Sequence, residues 1–249
     1  MAKYGLLGRQ IDYSFSREFF NKKFIQEQRS DIYVNLDYSC IEDFMGWFKT
    51  QNTLCGFNVT IPYKEAIIPF LDEIDPVAEA IGAVNTVVIK SHKSNKPRLI
   101  GYNTDHLGFR QSLEHWAPQD HKKALILGTG GAAKAILYVL GKLDYDILQL
   151  SRNSGPQTLG YDELTRAHLT RYRVIVNCTP LGTFPDIEQA PKLPYTALGP
   201  KHYLYDLIYN PEETEFLKRG RDAGAQTKNG RQMLEYQAIE AWKLWQKIV

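Results

Sequence analysis

A short apolar run at residues 124–127 (ALIL) leads straight into the glycine-rich turn GTGGAAK at residues 128–134. Apolar residues then recur at helical spacing through Ile136, Leu137, Val139 and Leu140. Strand, turn and helix are the three parts a dinucleotide fingerprint requires, and all three are here in the right order. Gly128 permits the tight turn, Gly130 lets backbone N–H groups approach a pyrophosphate, and Ala133 is the small residue where helix and strand pack closely. A helix starting near Gly131 directs its positive end at the phosphates. Such turns also occur in purely structural roles. The unit begins near mid-chain, so a separate region of about half the chain must supply what a cofactor acts on.

Composition narrows the function classes. The chain has 249 residues, enough for one large domain or two small ones, with 43% hydrophobic and 23% charged residues, as in ordinary globular proteins. Net charge is +2, and the lysine pairs 22/23 and 122/123 are isolated, so no basic stripe for nucleic acid is present. No apolar run approaches the roughly 18 residues of a membrane span. The first residues, MAKYGLLGRQ, lack the apolar core of a signal peptide. Three widely spaced cysteines (Cys40, Cys55, Cys178) fit reduced thiols in the cytoplasm. The six histidines show no HExxH spacing and no CxxC occurs, so no metal site is expected.

Short apolar runs alternate with helical patterns along the chain. In the first half, strands are predicted at 4–7, 32–36, 57–59 and 86–89, and helices at 17–26, 41–49 and 62–71. Pro62 suits the first helical turn, where its missing N–H costs nothing. The polar stretch HKSNKP at 92–97 predicts a hairpin between Ile89 and Leu99. This half reads as an α/β unit with a mixed sheet. Residues 104–116 read as a connecting helix and 117–123 as a linker. Strands at 124–127, 147–150, 174–177 and 203–207, separated by helices, then predict a Rossmann-like parallel unit. Residues 180–200 read as a long proline-rich loop, of the kind that covers active sites, and 231–248 as a final amphipathic helix.

About 20 residues past the glycines, an NAD enzyme places an acid on the ribose. Here that position holds Ser151, Arg152 and Asn153. An arginine there can fork onto a 2′-phosphate, which favours NADP; it is otherwise a solvated loop residue. In the first half, three polar stretches follow strands. IDYSFS places Ser14 and Ser16 before a helix, where serine is also a good N-cap. GFNVTIPYK brings Asn58 and Thr60 to a turn, with Lys64 one helical turn on, and GYNTDHLGF opens the connecting helix with Asp105. Taken singly, Lys64 is equally well a surface charge and Asp105 a helix-dipole partner.

These stretches recur together in one order. GFNVTIPYK, IGAVNTV, GYNTD, GTGGAAK, NCTPLG, DLIYNPEET and NGRQMLEYQA, spread from Tyr4 to Trp245, resemble the shikimate dehydrogenase family. The resemblance implies NADPH-dependent reduction of 3-dehydroshikimate to shikimate, in the pathway to aromatic amino acids. It also implies a substrate domain over 1–105, rejoined by a helix at 231–249, and an NADP-binding domain over 118–230, as a monomer or homodimer. By the same resemblance Ser14 and Ser16 bind the substrate carboxylate. Thr60, Asn85 and Gln237 meet its hydroxyls, Tyr209 lies on the substrate side, and Lys64 and Asp105 form the catalytic pair. Gly128, Gly130, Gly131 and Ala132 hold the pyrophosphate, Arg152 the 2′-phosphate, and Gly230 and Met233 flank the nicotinamide.

The chain departs from the family in four places. Tyr13 precedes Ser14 where a histidine is usual, and Arg17 stands where a proline is usual. Pro156 replaces a second basic residue after Arg152, and Phe184 lies near the position of a methionine. The stretch between Gly141 and Val174 is short for the family. Two rivals follow. One is a quinate/shikimate dehydrogenase using NAD or NADP; the other is a catalytically silent NADP- or shikimate-binding module, against which Lys64 and Asp105 together speak.

Overall fold

A computed structural model describes residues 1–12, 14–50, 53–90, 97–114, 116–118 and 120–247. Tyr13 and most of the HKSNKP turn lie outside the described residues. The chain divides into two compact units, residues 1–104 with 238–249, and residues 105–237.

In the first unit the elements are β1 (Lys3–Gly8), α1 (Phe15–Gln26), β2 (Ile32–Asp37), α2 (Ile41–Phe48), β3 (Leu54–Val59), α3 (Tyr63–Ala66), β4 (Glu73–Ile74), α4 (Pro76–Ile81), β5 (Thr86–Lys90) and β6 (Arg98–Tyr102). The sheet order is β2-β1-β3-β5-β6-β4. β1 lies parallel to β2 and β3, whereas β5 runs antiparallel to both β3 and β6, so the sheet is mixed as expected. One face packs Leu7, Leu36, Phe57 and Val59 against Phe44, Phe48, Tyr63 and Ile67. The other packs Tyr4, Tyr33 and Val88 against Phe20 and Phe24, with Trp242 and Trp245 from the last helix.

One predicted helix is corrected. Residues 62–71 form the single turn α3 followed by a 3-10 turn over Ile68–Phe70. Pro69 has no N–H to donate to the carbonyl of residue 65, so the α-helical ladder stops there.

The second unit holds α5 (Asp105–Glu114), β7 (Lys123–Leu127), α6 (Gly131–Lys142), β8 (Asp146–Ser151), β9 (Leu159–Gly160), α7 (Arg166–Arg171), β10 (Val174–Asn177), β11 (Tyr203–Asp206), α8 (Glu215–Asp222), β12 (Gln226–Lys228) and the first part of α9 (Arg231–Gln246). Its order, β12-β11-β10-β7-β8-β9, is parallel at every pairing. Counted along this unit it is the 3-2-1-4-5-6 winding of a dinucleotide-binding sheet. Alternate residues of each strand serve opposite faces. Ala124, Ile126, Val174 and Val176 meet Phe109, Ile136 and Val139, while Leu125, Leu127, Ile175 and Leu204 meet Leu169, Phe216 and Leu217. Burial on both faces is why ALIL is an unbroken apolar run. Among the described residues, no helix is long and apolar enough to cross a membrane.

Candidate functional site

The glycine turn after β7 sits at the sheet's topological switch point. In a 3-2-1-4-5-6 sheet, ligands bind beyond the strand ends at the switch point, here between β7 and β10. Gly128 leaves β7 at φ +104°, and a Cβ there would lie 3.1 Å from Thr179 Cγ2 in the loop after β10. Side-chain-bearing residues avoid that backbone region, so the turn requires glycine. Gly130 precedes α6 without a side-chain cap, and a Cβ built on it meets nothing within 4 Å. Gly131 and Ala132 form the first turn of α6, whose leading N–H groups have no intrahelical acceptor. An open, uncapped helix start with donors exposed fits a pyrophosphate. Ala133 is fully buried, as the third small position demands.

Arg152 follows β8 directly and is exposed. Gly230 precedes α9 and approaches backbone: an added Cβ would lie 2.1 Å from the Leu207 carbonyl oxygen. Met233 is 7% exposed on α9 and packs in the α5/α6 core layer. Gly108, one turn after Asp105, brings α5 against α9. Its own added Cβ would be 2.5 Å from the Met233 carbonyl oxygen and 3.0 Å from Gln237. Gln237 is buried and donates to the Leu234 carbonyl (2.9 Å), and Tyr209 is half-buried beyond β11.

In the first unit, Asn85 is a hub. The Thr104 N–H (2.6 Å) and the Thr86 hydroxyl (3.1 Å) donate to its Oδ1, and its Nδ2 donates to Thr104 Oγ1 (3.1 Å). Thr104 is the residue before Asp105. The residue before Asn85, Val84, donates its N–H to the Lys64 carbonyl (2.8 Å). Lys64 is half-buried on α3, and Asp105 is 6% exposed at the start of α5. Thr60, half-buried, extends the β1 pairing through its N–H to the Leu7 carbonyl (2.8 Å).

A buried relay that motif reading misses links this hub to Ser16. Asn58 Nδ2 donates to the Asn85 carbonyl (3.2 Å) and to Thr86 Oγ1 (3.0 Å), so Asn58 Oδ1 faces Tyr33 and accepts its hydroxyl proton (2.8 Å). Ser16 pairs with that same Tyr33 hydroxyl, whose titration burial pushes far above the usual tyrosine range. Nothing local marks Tyr33 in the sequence: it lies 25 residues from Asn58 and reads as a strand aromatic.

Ser14 occupies the N-cap position of α1, yet its side chain makes no capping bond, and its buried Oγ has no hydrogen-bond partner. Capping therefore does not account for it. With Asp12, Arg17, Glu18 and Asn21 it lines a recess of about 460 Å³, and the Arg17 guanidinium is tied to the Asp12 carbonyl (3.2 Å).

The NCTPLG and DLIYNPEET motifs meet at Asp206, a fully buried carboxyl on β11. It accepts from Asn177 Nδ2 (3.0 Å), the Ile208 N–H (3.0 Å) and Thr214 Oγ1 (2.6 Å). Burial pushes it up to about 6 against the pull of those bonds. Its role is to tie the loops after β10 and β11 together below the cofactor turn.

A mixed α/β unit and a doubly wound parallel unit with a glycine turn at its switch point define a Rossmann-type dinucleotide-binding protein. The more particular kinship comes from comparison. The family model for the shikimate dehydrogenase substrate binding domain matches residues 6–87. The NADP(+)-dependent shikimate dehydrogenase of Clostridium botulinum (strain Hall) is 38% identical over 97% of this chain and 95% of its own length. A shikimate dehydrogenase crystallised with NADP+ matches with a TM-score of 0.87 and 33% identity, over 100% of this chain and 91% of that one. The Thermus thermophilus enzyme, crystallised with NADP(H) and shikimate, matches with a TM-score of 0.85 and 28% identity, over 100% and 95%. The chain belongs to the shikimate dehydrogenase family.

Proposed function

We propose that this protein catalyses the reversible NADPH-dependent reduction of 3-dehydroshikimate to shikimate. The observation that carries the reading is the Gly128 turn at the switch point of the 3-2-1-4-5-6 sheet; the substrate follows from family membership. When bound, the reduced nicotinamide supplies the hydride. The chain's residues do the rest. The α6 N-terminus and Arg152 hold the pyrophosphate and the 2′-phosphate. Gly230 and Met233 border the nicotinamide. Ser14 and Ser16 take the substrate carboxylate, and Thr60, Asn85, Tyr209 and Gln237 take its ring polar groups.

Hydride addition leaves charge on the carbonyl oxygen, and Lys64 gives that oxygen a proton as the new C–H bond forms. Asp105 shares that proton-transfer role as the second member of the dyad; general acid catalysis of this kind contributes about 10²–10⁴-fold. The partners under this reading are small molecules. The free thiols of Cys40, Cys55 and Cys178 suit a reducing cytoplasm.

Initial rates of shikimate oxidation, followed at the reduced-nicotinamide absorbance with NADP and NAD in parallel, test the proposal. The expected result is turnover with NADP well above NAD. No turnover with either cofactor would overturn it.

A further inference from the structure

β8 reads DILQLS, and its sheet is covered on both faces, so every inward residue should be apolar. Gln149 breaks that rule. Its strand neighbours Leu148 and Leu150 serve the layer packed by α7 and α8. Ile147, on the same side as Gln149, serves the layer packed by α6. A half-buried amide in such a layer requires a hydrogen-bond partner. Its partner is the turn itself: Gln149 Nε2 donates to the Gly128 carbonyl at 2.8 Å, across 21 residues. The Gly128 N–H in turn donates to the Leu150 carbonyl at 2.9 Å.

β8 thus grips Gly128 from both ends of one residue. That residue has no side chain of its own to restrain it and sits at φ +104°. In a planar trans peptide, C=O and N–H point in opposite directions. Fixing the Gly128 carbonyl therefore fixes the direction of the Thr129 N–H, the first donor of the turn. Without Gln149, the Gly128–Thr129 peptide plane loses its carbonyl anchor and is free to swing, because the Gly128 N–H bond to Leu150 holds only the preceding plane. Each binding event must then order it, at the expense of affinity.

We propose that Gln149 is a positioning residue for the cofactor, orienting the pyrophosphate-binding turn from the adjacent strand. The inference rests on the cofactor site described above and adds to it a group that touches no ligand atom.

Gln149→Met and Gln149→Leu remove the donor while keeping an apolar or near-isosteric side chain. Dissociation constants for NADP and NAD are measured by direct titration, alongside steady-state constants and thermal midpoints. Both variants should weaken NADP and NAD alike by roughly 3- to 10-fold, the size of one hydrogen bond. kcat and the shikimate KM should stay within about twofold, and the midpoint within about 2 °C. The pyrophosphate is common to both cofactors. A loss confined to NADP would therefore place the effect at the 2′-phosphate and overturn the proposal. Unchanged cofactor binding in both variants would overturn it too, as would a shikimate KM that rises in step with the NADP constant. Failure of the wild-type protein to bind either cofactor would instead defeat the cofactor-site reading.

Discussion

Under the proposed reaction, charge that develops on a carbonyl oxygen needs a proton donor, and Lys64 is the residue assigned to it. Lys64→Ala should lower kcat for shikimate at least 100-fold while changing the shikimate dissociation constant much less; near-normal turnover would remove Lys64 from the chemistry. Asp206 makes a different prediction, about stability. Its folded-state value of about 6 lies above the ordinary 3.8, so the native state binds that proton more tightly than the unfolded chain. Its contribution is intact below about pH 4 and is lost as pH rises through 6. At about 1.36 kcal/mol per unit the loss approaches ~3 kcal/mol. Asp146, held low by its bond from Arg171, and Glu163, held low by Ser154 and the Gly160 N–H, act in the opposite direction. Comparison with Asp206→Asn isolates the term. The unfolding free energy of wild type minus that of the variant, from urea titrations at pH 4 and 6.5, should fall by up to that amount. A constant difference would refute the assignment.

The last turns of α9 belong to the first unit because one strand leaves room for them. Gly56 on β3 faces Trp245, and a Cβ there would lie 2.3 Å from the indole Nε1. That indole N–H donates to the Val87 carbonyl at 3.0 Å, and the ring lies tilted against Tyr4 and Phe20 with centroids at 4.9 and 5.4 Å. Gly56→Ala should therefore displace Trp245 and cost about 1–3 kcal/mol, read as a lowered thermal midpoint and altered tryptophan emission. An unchanged midpoint would show that the helix end contributes nothing there. Elements differ in how far sequence reveals them. β7 and α6 are legible because burial on two faces and on one stripe leaves plain periodic patterns. α4 carries full local signals, with Asp75 accepting from the Val77 and Ala78 N–H groups, Pro76 first in the helix and Gly82 left-handed after it. At six residues it is too short for a periodicity search. The two-residue β9 and the three-residue polar β12 are strands only because a neighbour offers them a ladder.

At the scale of the molecule, two sheets of different build serve two recognition problems. Under the proposed function, the parallel sheet offers a turn and a strand end to a nucleotide, and the mixed sheet offers short polar side chains to a small ring acid. Cofactor choice depends on the first. Arg152→Ala should reduce kcat/KM for NADP by about 10- to 100-fold, as the loss of a charge-assisted contact implies, and leave NAD within about threefold. Equal losses for both cofactors would show that Arg152 reads something other than the 2′-phosphate. Substrate choice depends on the second. Sites that pair buried polar groups with substrate hydroxyls reject ligands that leave those groups unpaired. The ratio of kcat/KM on shikimate to that on quinate measures how far this site does so.

By itself the sequence determined the alternation of strands and helices, the turn at Gly128, the Arg152 strand end and, through its ordered motifs, the family. Each of these is written in neighbouring residues: periodicity, a glycine spacing, a charge at a set distance. The tertiary structure alone decided which polar residues hold the others in place. Tyr33 orients Asn58 and pairs with Ser16, Asn177 and Thr214 secure Asp206, and Gln149 reaches back to Gly128. Those partners come together through strand pairing and side-chain direction, across tens of residues, where no local pattern records which hydrogen bond a buried group will find.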